Sequence, residues 1–103
     1  MLFEYALFLQ KHNQFSKAIS LYEEALEIRR KLAKENPNAF LPYVATTLNN
    51  LAIFYLYDRP DKELSKQYAN EAIEVLGKCN DTLFVIEQIE KAKNIIEEWN
   101  KGQ

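Results

Sequence analysis

The side chains most capable of chemistry in this sequence are a single histidine and a single cysteine. His12 lies in a polar turn, and Cys79 lies in a short connector far from it along the chain. A metal site needs several converging ligands, and a catalytic thiol needs a nearby base. The chain also has no glycine-rich phosphate loop, no G-x-S-x-G and no H-E-x-x-H. We therefore predict no enzyme activity, no metal site and no cofactor.

The glutamates alternate with basic residues at helical spacing. Glu27 and Lys31 are four residues apart, and so are Glu87 and Lys91. Such pairs are typical of solvated helix faces. A small basic cluster is interleaved with these glutamates and is interpreted in the same way; it comprises Arg29, Arg30, Lys31 and Lys34. The net charge of −2 argues against a nucleic-acid partner, which usually demands a basic surface.

Two adjacent asparagines, Asn49 and Asn50, lie inside an otherwise apolar helical segment. Asparagine is a poor helix-interior residue because its amide competes for backbone hydrogen bonds. An amide carries a donor and an acceptor together, so it can pair with any peptide unit. Two interpretations stay open here. The pair contacts a bound peptide, or it bonds only its own helix stack and water.

Helical periodicity predicts five helices and no strand. The predicted spans are residues 2–11, 15–35, 38–57, 61–76 and 80–101. Asn36-Pro37 ends the second helix, and Asn38 is the predicted N-cap of the third, with Pro42 in or before its first turn. Asp61 and the pair Asn80-Asp81 are the predicted N-caps of the last two helices. Gly77, a natural C′ residue, follows the fourth helix.

Composition favours one small helical domain over residues 1–103. Only two glycines and three prolines occur, and apolar residues make up 48% of the chain. No apolar run approaches the ~18 residues of a membrane span, and the apolar start lacks the basic region of a signal peptide. One cysteine excludes an internal disulfide. We predict no membrane partner and a cytoplasmic location.

The chain repeats itself. Residues 5–10 (YALFLQ) align with residues 51–56 (LAIFYL) at a shift of 46, and residues 20–28 align with residues 67–75 at a shift of 47. One extra residue in the second turn accounts for the difference. The aligned alanines are Ala6 with Ala52 and Ala25 with Ala72. A small residue at a fixed place on each helix is what close helix–helix packing needs.

These matches resemble the tetratricopeptide repeat (TPR) family, whose first helix carries W-x₂-L-G-x₂-Y and whose second carries A-x₃-F. The matching positions in this chain are Leu48, Leu51, Ala52 and Tyr55 for the first helix, and Ala18, Tyr22 and Ala25 for the second. The phrases YEEALEIRRKLAKENP and VATTLNNLA are similar to the long-repeat subtype of kinesin light chains and of many bacterial TPR arrays.

The resemblance implies an all-α fold made of two stacked TPR-like antiparallel helical hairpins plus a C-terminal capping helix, a fragment of an α-solenoid. The first hairpin is placed at residues 1–37, the second at residues 38–78 and the capping helix at residues 80–101. One hairpin cannot bury its own apolar face, so stacked neighbours must supply a continuous core. Leu51 is expected in that core.

The resemblance also implies a function, a protein–protein interaction module. In TPR proteins the first helices of successive repeats line a concave groove that binds a peptide or helix of a partner. Carried onto this chain, the groove residues are Thr46, Asn49, Asn50, Ile53 and Tyr57, with Phe3 and Leu7 from the first repeat.

An alternative function follows from the apolar start of the chain. Leu2, Phe3, Tyr5, Leu7 and Phe8 have no capping segment before them. The chain would then be a structural, self-associating C-terminal segment of a longer TPR array with no peptide ligand of its own. A homodimer through the first hairpin is the form that this alternative predicts.

Overall fold

The computed structural model describes residues 15–101, which form four α-helices and one π-helical turn. In chain order these are α1 (Phe15–Glu35), α2 (Pro37–Ile53), the π turn (Phe54–Asp58), α3 (Lys62–Leu76) and α4 (Leu83–Lys101). No strand occurs in this part of the chain, and the all-α prediction is confirmed. The first predicted helix, residues 2–11, lies outside the described residues.

The boundary between α1 and α2 depends on one proline. α1 ends at Glu35, as predicted, but α2 begins at Pro37 and not after Asn38. Proline fits the first helical position because its missing N–H has no helical partner there. Pro42 therefore lies inside α2 and not in or before its first turn. The carbonyl of Asn38, which Pro42 leaves without a helical donor, belongs to an exposed residue within reach of water.

Short polar side chains cap α3 and α4. The Asp61 carboxylate accepts a hydrogen bond from the backbone N–H of Leu64 at 3.1 Å, which confirms the predicted cap of α3. At α4 the cap is Thr82, whose Oγ1 accepts from the N–H of Val85 at 3.2 Å. The prediction that Asn80-Asp81 caps this helix is therefore wrong, because the cap is the next residue along the chain. Threonine can cap a helix because its hydroxyl accepts a hydrogen bond from a backbone N–H of the first turn, which has no partner within the helix.

α2 is the central helix and packs against α1, α3 and α4, while α3 also packs against α4. Its core side chains Leu48 and Leu51 are fully buried, as predicted for Leu51. The repeat alanines Ala52 and Ala72 have no exposed surface either. The hydroxyl of Ser65 donates to the Ala52 carbonyl at 2.7 Å, so α2 and α3 approach closely at these small residues.

Aromatic rings fill the space around the end of α2. Phe54 is fully buried and meets Phe15 and Tyr55 edge-on, with ring centroids 5.6 Å and 5.3 Å away. Tyr55 in turn stacks on Tyr68 of α3 at 6.0 Å. Such pairs add about 0.5–1.5 kcal/mol each beyond the burial of their area. They hold the π turn firmly against α1 and α3.

The π turn is the least regular part of the fold. The N–H of Arg59 donates to the carbonyl of Phe54 at 3.1 Å, five residues back instead of four. This turn overlaps the interval in which the repeat alignment requires one extra residue, between residues 56 and 67. A helix can accommodate an inserted residue by a backbone hydrogen bond that spans five residues instead of four.

The helical stretch Pro37–Asp58 is long and apolar enough, by length and composition, to cross a membrane. The prediction that no run of this kind exists is therefore wrong for this stretch. Its largest core side chains face other helices: Leu48, Leu51 and Phe54 are fully buried. A core helix of a globular protein satisfies the same composition test, and we interpret the stretch as such a helix.

Candidate functional site

A groove runs along α4 on the side that faces the end of α2 and the π turn, and its volume is about 690 Å³. α2 and the π turn contribute Ile53, Leu56 and Tyr57. α4 contributes Ile86, Glu87, Glu90, Lys91, Asn94, Ile95, Glu97, Glu98 and Lys101. We call this surface the α2–α4 groove.

The floor of the α2–α4 groove is apolar and fixed by the core. Ile95 is only 4% exposed, and Ile53 and Leu56 are half-buried against the core beneath them. Two large side chains of the lining remain open to solvent, Tyr57 at 67% and Ile86 at 48%. Exposed apolar side chains in a concave surface are typical of ligand and partner sites.

Six of the seven predicted groove residues separate into three groups, and Asn49 forms a fourth. Ile53 and Tyr57 line the α2–α4 groove. Thr46 and Asn50 are half-buried on α2 outside its lining, and the Thr46 hydroxyl donates to the Pro42 carbonyl at 3.0 Å. The remaining two positions predicted from the first repeat, Phe3 and Leu7, lie outside the described residues and stay predictions.

Asn49 belongs to the core and not to any surface. It has no exposed area, and its Nδ2 donates to both the backbone carbonyl and the Oε1 of Gln88 in α4, each at 3.1 Å. A side chain with no exposed surface cannot bond a ligand, so the predicted peptide contact through Asn49 is wrong. Its position gave a usable signal, because it lies four residues after Ala45 and three before Ala52, both buried.

The sequence predicts α4 only as a capping helix, whereas in the structure it also lines the groove. Glu87, Glu90, Asn94 and Glu97 are spaced by three or four residues, which places them on one helix face. This spacing was visible in the sequence. It was interpreted as a solvated face, and these residues are indeed exposed, but the face also borders the groove.

The rim of the groove is more acidic than basic. The groove lining holds four glutamates and two lysines. Lys101 lies 3.7 Å from Glu98, so this pair neutralises itself. Within residues 15–101, no ion pair involves Glu87, Glu90 or Glu97. Three carboxylates and one ammonium group, that of Lys91, therefore face solvent along the groove.

The basic cluster of α1 ties helices together. The guanidinium of Arg29 donates to the hydroxyl of Thr47 at 2.7 Å and to the Tyr43 carbonyl at 3.2 Å, and lies 5.6 Å from the Tyr43 ring centre. Burial lowers the pKa of Arg29, but a guanidinium stays charged in proteins. Arg30 forms an ion pair with Glu71 of α3. Both arginines thus connect α1 to its neighbours.

The environment of Cys79 makes its thiol unreactive. It donates to the Val75 carbonyl at 3.6 Å, and burial raises its pKa above the usual range. A thiol held protonated is a poor nucleophile. Among residues 15–101, no three histidine, cysteine or acidic side chains are grouped closely enough to hold a metal ion. His12 lies outside the described residues.

One comparison with known protein families gives a match to part of the chain. A sequence model of the family described as "Tetratricopeptide repeat" matches residues 6–38. The match covers the end of the first predicted helix, the turn after it and α1, so the resemblance to this family is confirmed over residues 6–38. The kinesin light chain subtype stays a prediction. No curated protein and no solved structure matches the chain.

Proposed function

We propose that this chain, which carries a tetratricopeptide repeat over residues 6–38, is a non-enzymatic module that binds a peptide or short helix of a partner protein in the α2–α4 groove. Repeats of this family are typically protein-interaction domains. The observation that carries the proposal is the exposure of Tyr57 and Ile86 in the same groove, above an apolar floor.

The arrangement suits an amphipathic peptide better than a small molecule or a broad protein surface. The floor formed by Ile53, Leu56 and Ile95 offers apolar contact along one side only. The exposed α4 side chains of the lining are polar apart from Ile86, which fits a peptide groove with an apolar centre and a largely polar border. A groove of this size should bind weakly, near micromolar, or ~8 kcal/mol.

The test selects binders from a random-peptide library against the folded chain and maps their site by chemical-shift perturbation of backbone amides. We expect the largest shifts at Ile53, Leu56, Tyr57 and Ile86. Tyr57→Ala should weaken binding by tenfold or more, because aromatic anchors in interface centres contribute about 2 kcal/mol or more. Tyr57 is 67% exposed, so its truncation should leave the fold intact.

A matched control is Tyr43→Ala. Tyr43 is also an exposed tyrosine of the same helical stretch, at 50%, but it packs beside Arg29 outside the groove. The control should leave the affinity unchanged. Binders that shift only residues of α1 and α3, or that lose affinity equally in both variants, would overturn the proposal.

A second candidate function is self-association as part of a longer array. Leu83 and Phe84 at the start of α4 are 73% and 42% exposed, and Ile28 and Leu32 of α1 are 44% and 38% exposed. Unpartnered apolar residues at both of these helices support stacking against further repeats or a second copy. Sedimentation velocity over a wide concentration range tests this function. A mass that stays at one chain throughout would overturn it.

A further inference from the structure

We infer that the α2–α4 groove selects a basic amphipathic helix, a partner segment with apolar residues on one side and lysines or arginines on the other. The inference rests on the proposed function and adds the chemistry of the ligand. Two properties of the groove carry it, the sign of its exposed charge and the spacing of its carboxylates.

The charge of the rim favours a positive partner. Glu87, Glu90 and Glu97 are exposed and form no ion pair within residues 15–101, and Lys91 is the one basic side chain of the lining outside the Lys101–Glu98 pair. A ligand that approaches this rim meets a net excess of two carboxylates. Electrostatic complementarity of this kind favours basic segments and repels acidic ones. Nucleic acid phosphates and anionic lipids are repelled for the same reason.

The spacing of the carboxylates favours a helix over an extended strand. Glu87, Glu90 and Glu97, with Asn94 between the last two, repeat once per helical turn over a length of ~15 Å. A partner helix that lies along α4 presents its own side chains with the same repeat, at i, i+3 or i+4, and i+7. In an extended peptide, side chains on one face repeat every ~7 Å, which does not match one helical turn.

The floor determines the other face of the ligand. Ile53, Leu56 and Ile95 can bury apolar side chains, and Tyr57 adds an aromatic ring that accepts either a methyl group or a cation. A helix whose apolar stripe enters the groove then carries its basic residues toward the α4 rim. An apolar peptide without charge would use the floor alone, and a basic peptide without an apolar stripe would use the rim alone.

The experiment compares three synthetic helical peptides that share the same leucine stripe. Their flanking positions are all lysine, all glutamine or all glutamate, and each carries a fluorescent label for anisotropy titration. We expect the lysine peptide to bind at least tenfold more tightly than the glutamate peptide at low salt. The difference should shrink as salt is added, because surface charges are screened.

Two variants locate the effect. Glu87→Gln combined with Glu90→Gln should weaken binding of the lysine peptide about fivefold, since each exposed charge pair contributes little by itself, and should leave the glutamine peptide unchanged. Glu74→Gln is the matched control, because Glu74 is exposed on α3 and does not line the groove. Glu90→Lys should improve binding of the glutamate peptide.

The outcomes separate this inference from the proposed function. Equal binding of all three peptides, lost on Tyr57→Ala, overturns the charge selectivity and leaves the groove as a peptide site. Tight binding of the lysine peptide that ignores the Glu87 and Glu90 changes also overturns the inference, because the peptide then binds elsewhere. If none of the peptides binds or shifts the groove amides, the inference fails, and the random-peptide selection decides the proposed function separately.

Discussion

Asn49 and Asn50 are adjacent in sequence, but truncation should destabilise the fold at Asn49 and have little effect at Asn50. Asn49 is fully buried and bonded to Gln88, whereas Asn50 is half-buried and has no side-chain hydrogen bond within the described residues. We expect Asn49→Ala to lower the free energy of unfolding by about 2 kcal/mol. Asn50→Ala should change it by less than ~0.5 kcal/mol, because alanine is the better helix former.

The magnitude for Asn49 follows from its partners. Its Nδ2 makes two hydrogen bonds at 3.1 Å, each with a net contribution of about 0.5–1.5 kcal/mol. Truncation also leaves the Oε1 of Gln88 unpaired, and Gln88 is only 8% exposed. One term acts in the opposite direction. The Oδ1 of Asn49 is buried without a partner in the described part of the chain, and its removal recovers part of the loss.

Urea unfolding followed by circular dichroism measures the difference. For a domain of this size, a loss of 2 kcal/mol corresponds to a fall in Tm on the order of 10 °C. Replacing both partners, Asn49→Leu with Gln88→Leu, should return the stability to within ~1 kcal/mol of the original, since no buried polar group is then left alone. Equal destabilisation by Asn49→Ala and Asn50→Ala would refute the placement of Asn49 against α4.

Three further predictions concern the core and the titrating groups. Leu51→Ala should lower the free energy of unfolding by ~2–5 kcal/mol in a urea titration, because Leu51 is fully buried; a loss under ~1 kcal/mol would contradict this. Burial and the charge of Asp58 raise the pKa of Tyr22 to about 12, above the ~10 of an unfolded tyrosine. The stabilising effect of neutral Tyr22 is therefore complete below pH ~10, and stability should fall by ~1.4 kcal/mol per pH unit from there to pH ~12. In Tyr22→Phe this slope should diminish, and an unchanged slope would show that another group causes it. Cys79 should react with iodoacetamide at neutral pH more slowly in the folded chain than in urea, because its pKa is raised; equal rates would exclude that protection.

Much of the helical arrangement was predictable because its signals are local. Asn36-Pro37 ends α1 and Asp61 starts α3 through backbone effects that neighbouring residues decide. The start of α2 was misjudged because Asn36 and Asn38 both suit a cap, and the choice depends on the proline between them. Proline's preference for the first helical position is a local signal that favours Asn36 as the cap.

The site was less predictable, since its residues meet only in three dimensions. Ile53 and Tyr57 followed from the resemblance to a repeat family, and both line the groove. The same resemblance predicted Asn49 as a groove residue. Its hydrogen bonds to Gln88 were not predictable, because the two residues are 39 positions apart and no sequence spacing reveals the pair. Exposed glutamates beside a groove have the same spacing as glutamates in open solvent, so the role of Glu87 and Glu90 required the position of α2 against α4.

The π turn gives the hairpin tolerance to a change in length. One residue added within a regular α-helix rotates every side chain after it by ~100°, so that the core side chains that follow it would turn toward water. Here the widened turn absorbs the added residue locally, and Ser65 still meets the Ala52 carbonyl on the far side of the loop. Related sequences that lack this residue can therefore keep the same stack of helices. We expect the end of α2 to differ in such sequences, and with it the side chain at the position of Tyr57. Ligand preference can then change while the helical scaffold stays the same.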